Sequence, residues 1–440
     1  LRVPVPQIRI LSLPDSSAWR TFGARRYRAF RVLAVAQGFI GALTGPAIVI
    51  PLLLALGAHP ALATALAVLP IVGTMSQRFI PPLLERTEGN LRGVVLLFAT
   101  IGAPRGVLLA AVVALVALGW LPSWAAILLV ALIVGVLGAM GAVSYSLLQA
   151  WYPIVLPEEE RRVVTPRLGA ISLGIGAVIL IPIALTIDGA LAAIGLWAFA
   201  LPPALAGVAG IGAAVMVRRL PHPGRVRVPR RTAWDSEGSA RLRRHGEVLT
   251  FALLAAGLSP FLSVYAMVVL GTGPGFAIAI SATSSATLVV ASLFASSHLR
   301  GGSASRLLRN SFWLRGAALL IGLTAHPANP LAPAVLLAVA VLLAVGDVAG
   351  QLAANERLLR LATGPGVIAF QSHFVVRNVG AYTAGILAGS AVMLLGGYLA
   401  FAILFVSAGS LRFVAARTTE VSAPSREPAG AAGVREASSG

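Results

Sequence analysis

The sequence contains no cysteine and no lysine, and its 15 acids face 34 basic residues, every one an arginine. The missing cysteine excludes a disulfide framework, a thiolate metal site and a cysteine nucleophile. The six histidines are scattered, with no His-Glu-x-x-His pattern, so no metal site and no other cofactor is expected. There is no Walker sequence and no Gly-x-Ser-x-Gly elbow. The glycine run Gly271 to Gly275 resembles a phosphate-cradling loop, but no strand precedes it. Glu158, Glu159 and Glu160 are followed at once by Arg161 and Arg162, which reads as a solvated charge cluster rather than an acid/base pair. The chain is therefore expected not to be an enzyme. Charged residues are also scarce, at 11 %, where a soluble domain carries roughly 25 %.

What is present is apolar sequence in long runs. Stretches of 18 or more mostly apolar residues suffice to cross a hydrocarbon core of about 30 Å. Twelve can be placed, at 32–56, 61–84, 95–119, 123–150, 165–187, 191–217, 247–270, 275–297, 308–325, 331–354, 366–393 and 396–415. The first is too long for the apolar core of a cleavable signal peptide and leads directly into the second, so none is expected.

The arginines collect in alternate gaps. Gaps after the first, third, seventh, ninth and eleventh runs hold none, and the gap after the fifth holds only Asp188. The others hold Arg78, Arg86 and Arg92, then Arg161, Arg162 and Arg167, then Arg300, Arg306 and Arg309, then Arg357 and Arg360. This is the positive-inside pattern, and it places both termini in the cytoplasm of a bacterial inner membrane. The formal charge of +19 is then explained by anionic headgroups at the cytoplasmic face. Aromatic-interleaved basic stretches of the kind that stack bases are missing, so no nucleic-acid partner is expected.

The longest gap, 218–246, holds nine arginines with Pro221, Pro223 and Pro229 and reads as a cytoplasmic linker. It separates 32–217 from 247–415, each with six runs. Residues 1–31 read as a basic cytoplasmic tail and 416–440 as a disordered one. The halves look duplicated. Leu56-Gly57 with Pro60 matches Leu270-Gly271 with Pro274, and Arg105-Gly106 matches Arg315-Gly316 at nearly the same offset. Parallel repeats around a shared site are a known carrier plan.

Three local features then resemble the major facilitator superfamily over roughly residues 30 to 415. They are the span–turn–span unit at 40–84, the stretch Leu156 to Arg162, and the loop Pro82 to Arg92. The last lies where that family keeps Gly-x-x-x-Asp-Arg-x-Gly-Arg-Arg, but Pro replaces the leading Gly and Glu85 the Asp. The resemblance implies an all-α integral membrane fold of twelve helices in two six-helix halves. It also implies a transporter that moves a small solute by alternating access, with Glu85 and Arg86 as candidates for a conformational latch. The alternatives are a transport-inactive receptor or scaffold, and a membrane-embedded lipid-modifying enzyme. The latter would need convergent carboxylates or histidines at one membrane face, which the sequence does not offer.

Polar groups inside spans are costly and mark function. Asp347 sits in the tenth run with Gln351 one turn on. Arg377 sits in the eleventh with His373 and Asn378. Asp347 and Arg377 are within reach of each other along a long arginine side chain, either as a structural ion pair or as a site for an anion or a proton. His373 reads more readily as a packing residue. By the family resemblance the first, fourth, seventh and tenth helices line the cavity, which makes Gln37, Tyr145, Gln149 and Tyr265 candidate contacts. Arg105 and Arg315 are expected to snorkel to the inner headgroups. A monomer with a small-molecule substrate is expected.

Overall fold

The computed structural model describes residues 27–155, 158–220, 237–257, 261–298, 304–361 and 365–421. The tail before Tyr27, most of the predicted linker and the end of the chain lie outside them. Among the described residues the regular structure is entirely helical. Eight helical stretches are long and apolar enough to cross a membrane, and two shorter apolar ones accompany them, Pro60–Gly73 and Leu201–Val217.

The first half is much interrupted, and proline and glycine explain where. The first run folds as α1 (Arg28–Leu43) and α2 (Pro46–Ala55), because Pro46 lacks an N–H and its ring crowds the preceding turn. The second run, with Pro70, Gly73, Pro81 and Pro82, falls into four pieces: α3 (Pro60–Ala67), α4 (Leu69–Gly73), a 3-10 turn (Thr74–Phe79) and α5 (Ile80–Arg86). Pro104 splits the third into α6 (Leu91–Gly102) and α7 (Arg105–Ala117). The fourth is α8 (Ser123–Leu132) and α9 (Gly138–Val155), joined through a π turn at Ile133–Leu137. Then come α10 (Glu158–Ile194), a 3-10 turn (Gly195–Phe199) and α11 (Leu201–Val217).

The second half is more regular. It contains α12 (Glu237–Gly257), α13 (Leu262–Val268), α14 (Pro274–His298), α15 (Ala304–Gly322), α16 (Ala332–Leu361), α17 (Pro365–Met393) and α18 (Gly397–Val421).

Several expected boundaries move. No turn forms at Asp188: α10 continues to Ile194 and the chain reverses at Gly195. The sequence after Asp188, Gly-Ala-Leu-Ala-Ala, is mostly good helix former, and the Asp188 carboxylate is engaged elsewhere. Helix α12 begins at Glu237, inside the expected linker, and α18 extends to Val421, inside the expected tail.

Arginine-free turns, that at 326–330 excepted, share one device. Gly57 (φ 85°), Gly119 (73°), Gly195 (59°), Gly271 (65°) and Gly396 (71°) all take the left-handed conformation that ends a helix within a residue. The matching Leu-Gly pairs at 57 and 271 thus each place a left-handed glycine in the turn of their half. Side chains pointing outward are apolar, with Leu185 81 % and Val208 70 % exposed. Water would penalise such a surface; lipid does not.

The buried core is unequal along the helix axes. At the glycine-turn end one apolar cluster runs through both halves, from Leu53, Ala63 and Val113 to Val264, Ile278 and Phe401. At the arginine end the cores are separate. One holds Phe30, Val95, Val143 and Trp151, the other Leu308, Phe312 and Ala353. The buried cores of the halves therefore merge at one end and are separate at the other, where the 3-10 turn Thr74–Phe79 still packs against α17.

Tyr265 belongs to the shared core. It is buried, lies edge-on to Phe401 with centroids 4.7 Å apart, and its hydroxyl donates to the Ala325 carbonyl. It packs this core. Tyr265→Phe leaves that carbonyl buried without its partner, which costs about 1–3 kcal/mol. The expected result is a lower melting temperature with the fold retained, read by thermal unfolding in detergent.

Candidate functional site

Between the halves lies a cavity of about 1080 Å³. Its polar wall comes from stripes spaced by three and four residues, the period that puts side chains on one helix face. On α14 these are Ser281, Ser284 and Ser285, and on α16 Asp347, Gly350 and Gln351. Helix α17 adds Asn378 and Tyr382, α15 adds Arg315, and α18 adds Arg412. The facing wall, from the first half, is small and apolar apart from Gln37 and Ser172.

Asp347 pairs with Arg315, not with Arg377. Arg315 Nη1 donates to Asp347 Oδ1 at 2.7 Å, and its Nε donates to the Ser311 carbonyl at 3.2 Å. The guanidinium also lies 4.9 Å from the centre of the Phe312 ring. The Arg315 side chain is 9 % exposed and that of Asp347 43 %, so the cation is embedded in protein while the acid faces the cavity. Helix α15 lies along α16, which is why its arginine reaches Asp347 first. Arg377 is exposed and one position off the α17 face that presents Asn378 and Tyr382.

Neither Arg105 nor Arg315 reaches the inner headgroups. Arg315 stands 11 residues into α15, about 17 Å from its arginine end. Arg105 follows the 12 residues of α6 and the Pro104 break. Arg105 Nη2 donates to Thr44 Oγ1 beside the break between α1 and α2. The two arginines occupy matching places in the halves, each laid over a glycine of the following span. A Cβ on Gly138 would stand 3.1 Å from Arg105 Nη1, and one on Gly350 2.9 Å from Arg315 Nη2 and Ser311 Oγ. Among the described residues only the second half supplies an acid. Arg105 Nε is buried without a hydrogen-bond partner among the described residues.

This geometry decides the sign of one substitution. Gly→Ala inside a helix ordinarily stabilises by up to about 1 kcal/mol. Gly350→Ala is expected to do the reverse, because the pinned guanidinium would have to leave Asp347. The melting temperature should fall, and Gly141→Ala, with open space around it, is the control that should not lower it.

Of the other expected site residues, Gln37, Gln351 and Asn378 line the cavity, and Thr250 Oγ1 donates to Asn378 Oδ1 at 3.1 Å. Tyr145 is exposed on α9, away from the cavity. The side chains of His373 and Gln149 lie outside the described residues. Glu85 and Arg86 are exposed at the end of α5, and no ion pair joins Glu85 to the other half among the described residues. Sequence reasoning missed Arg412, although an arginine inside the twelfth apolar run was a visible signal, and it missed the serine stripe of α14.

A hydrogen bond across the halves lies at the opposite end. Asp188 Oδ1, at the far end of α10, accepts from the Gly275 N–H in the first turn of α14 at 2.9 Å. A carboxylate is favoured there, where unsatisfied N–H groups carry partial positive charge.

No protein-family model matches the chain, and no curated protein matches it. Solved structures do. The nucleoside transporter NupG is 13 % identical, with 91 % of this chain and 99 % of that one covered at a TM-score of 0.62. A bacterial homologue of the iron transporter ferroportin in an outward-facing state is 17 % identical, covering 91 % and 99 % at 0.62. A POT family transporter in complex with 5-aminolevulinic acid is 12 % identical, covering 91 % and 96 % at 0.66. The chain has the major facilitator fold. In major facilitator terms the cavity lies between the two halves of a multi-pass membrane protein, and its charged wall belongs to the second half alone.

Proposed function

We propose that the chain is a transporter that carries a small solute across a membrane by alternating access around this cavity. The observation that carries the reading is the unequal core. The halves share one apolar core at the glycine-turn end and have separate cores at the arginine end, with a cavity between them that has one polar wall. A scaffold would have no use for such a wall in that position. Neighbouring folds described as nucleoside, iron and POT family transporters support the same reading. With arginines on the cytoplasmic side, both termini are cytoplasmic, the membrane is a bacterial inner membrane, and this arrangement faces inward. Asp347, Gln351, Asn378 and Gln37 are then solute contacts, Arg315 orients Asp347, and Glu85 with Arg86 forms a latch that is open here.

The absence of cysteine makes a direct test available. A single Ser284→Cys variant, in sided membrane vesicles, should react with a membrane-impermeant maleimide from the cytoplasmic side and, as the halves rock, from the outer side too. Reaction from one side alone under every condition would leave no alternating access.

A further inference from the structure

Three tryptophans stand exposed at the glycine-turn end, and all three belong to the first half. Trp120 is 75 % exposed, Trp124 68 % and Trp197 41 %. Trp120 follows Gly119 in the turn after α7, Trp124 is in the first turn of α8, and Trp197 is in the 3-10 turn Gly195–Phe199, which packs against α7. Neither turn holds a charged residue. None of the three indoles makes a hydrogen bond or a ring contact among the described residues. Trp151 and Trp313 differ. The first is buried, and the ring of the second lies 4.8 Å from that of Phe413, centre to centre. The second half turns its aromatics inward at the same end. Tyr265 and Phe401 are buried, and Tyr398 donates to the Leu323 carbonyl and meets the His326 ring edge-on at 4.6 Å. What that half exposes there, Leu331, Leu394 and Leu399, is aliphatic.

An indole has a large apolar body and one N–H donor. Exposed to water, its body is unfavourable; exposed to hydrocarbon, its donor is. The headgroup layer, where an apolar span leaves the hydrocarbon, satisfies both. A second copy of the chain fits less well. Protein interfaces carry a polar rim, whereas these three residues are flanked in the chain by exposed Leu118, Ile194 and Leu201. We infer that Trp120, Trp124 and Trp197 form a lipid anchor. Phospholipid headgroups hold the first half through it at the glycine-turn face of the membrane, and the second half has no counterpart among its described residues. Such an anchor serves a membrane-spanning chain whether or not it transports a solute.

The test places the full chain in phosphatidylcholine vesicles whose acyl chains carry bromine either near the ester end or near the methyl end, and reads tryptophan fluorescence. Subtracting the emission of a Trp120→Phe, Trp124→Phe, Trp197→Phe triple variant from that of the wild type isolates the three indoles among the seven tryptophans. The difference signal should be quenched more by shallow bromines than by deep ones. No quenching by either lipid puts the rings in water, and stronger quenching by deep bromines puts them in hydrocarbon; each overturns the anchor. So does a Trp120→Cys chain that oxidises quantitatively to a cross-linked pair in the same vesicles, since a second copy then covers the patch. A fluorescent thiol probe at Leu205→Cys in α11 or Ile403→Cys in α18, both exposed, reads the depth of each half. As the acyl chains are lengthened, the first-half probe should keep its distance from the headgroups at that face while the second-half probe shifts. In the triple variant both should shift alike. Probes that shift alike in the wild type also overturn the anchor. Should the triple variant fail to fold, the three single variants are subtracted one at a time, and the wild-type depth comparison decides.

Discussion

Oxidation of a chain carrying both Asp188→Cys and Gly273→Cys is expected to stop transport, by at least about 20-fold, and a thiol reductant should restore it. The geometry fits a disulfide. A Cβ at position 273 would stand 2.7 Å from Asp188 Cγ, roughly where a cysteine sulfur would lie, and disulfide Cβ atoms sit about 3.5–4.5 Å apart. Gly273 has no left-handed φ, so a side chain there is not strained by its backbone. With no native cysteine, no other intramolecular bridge can form, and each single variant controls for oxidation as such. The bridge would tie α10 of one half to the start of α14 of the other at the glycine-turn end. On the proposed alternating-access reading, rocking opens that end, so a covalent tie would hold the protein in the arrangement seen here. Reduced, the double variant loses the Asp188 acceptor for Gly275 and should be somewhat less stable but still active. Cross-linked protein that carries solute at the wild-type rate would remove alternating access at this seam.

That seam shows what sequence could and could not disclose. Helical class, apolar runs and the alternation of arginine-bearing and arginine-free gaps were legible because they depend on hydropathy and charge summed over some twenty residues. The repeated Leu-Gly turns were legible because a left-handed residue ending a helix is nearly always glycine. Asp188 was visible as the lone charge of its gap, but its role depends on a helix beginning 86 residues later, at Pro274. Pairing failed for the same reason. Asp347 could be matched to Arg377 on depth along the spans, yet depth leaves open which helix lies alongside α16. The packing of α15 against α16 settles it, and no local pattern encodes that packing. Arg105 and Arg315 were placed at the headgroups on the rule that long cationic chains snorkel. The rule gives way where a side chain finds a hydroxyl, a carbonyl or a carboxylate inside the protein, as both do.

The two halves also diverge in a way their sequences did not announce. Each lays an arginine over a glycine at mid-span, but Arg105 is met by Thr44 and Arg315 by Asp347. A duplicated frame therefore presents a charged wall on one side only. Interruptions are likewise concentrated in the first half, where α1 to α9 are short and broken. Its wall of small residues lets the first half approach the charged wall without contributing a competing charge.

The two partners of that charged wall should differ sharply on removal. Asp347→Leu strands a guanidinium whose side chain is 9 % exposed, and an uncompensated buried charge of this kind costs about 3–5 kcal/mol. Arg315→Met strands a carboxylate 43 % exposed to the cavity, where water can solvate it, so about 1–2 kcal/mol is expected once screening is allowed for. The ordering, not only the size, is the prediction, and thermal unfolding of the two variants side by side reads it. Replacing both partners together should recover much of the stability, since a matched apolar pair is often as good as a buried ion pair. Transport should not recover with it, because Asp347 faces the cavity rather than the helix packing. A double variant that regains both stability and flux would make the pair a strut between α15 and α16 and nothing more. One that regains stability alone, with flux still reduced by about a hundredfold or more, places the pair on the solute path, because charge-assisted contacts worth about 1.5–3 kcal/mol each are then missing from the site.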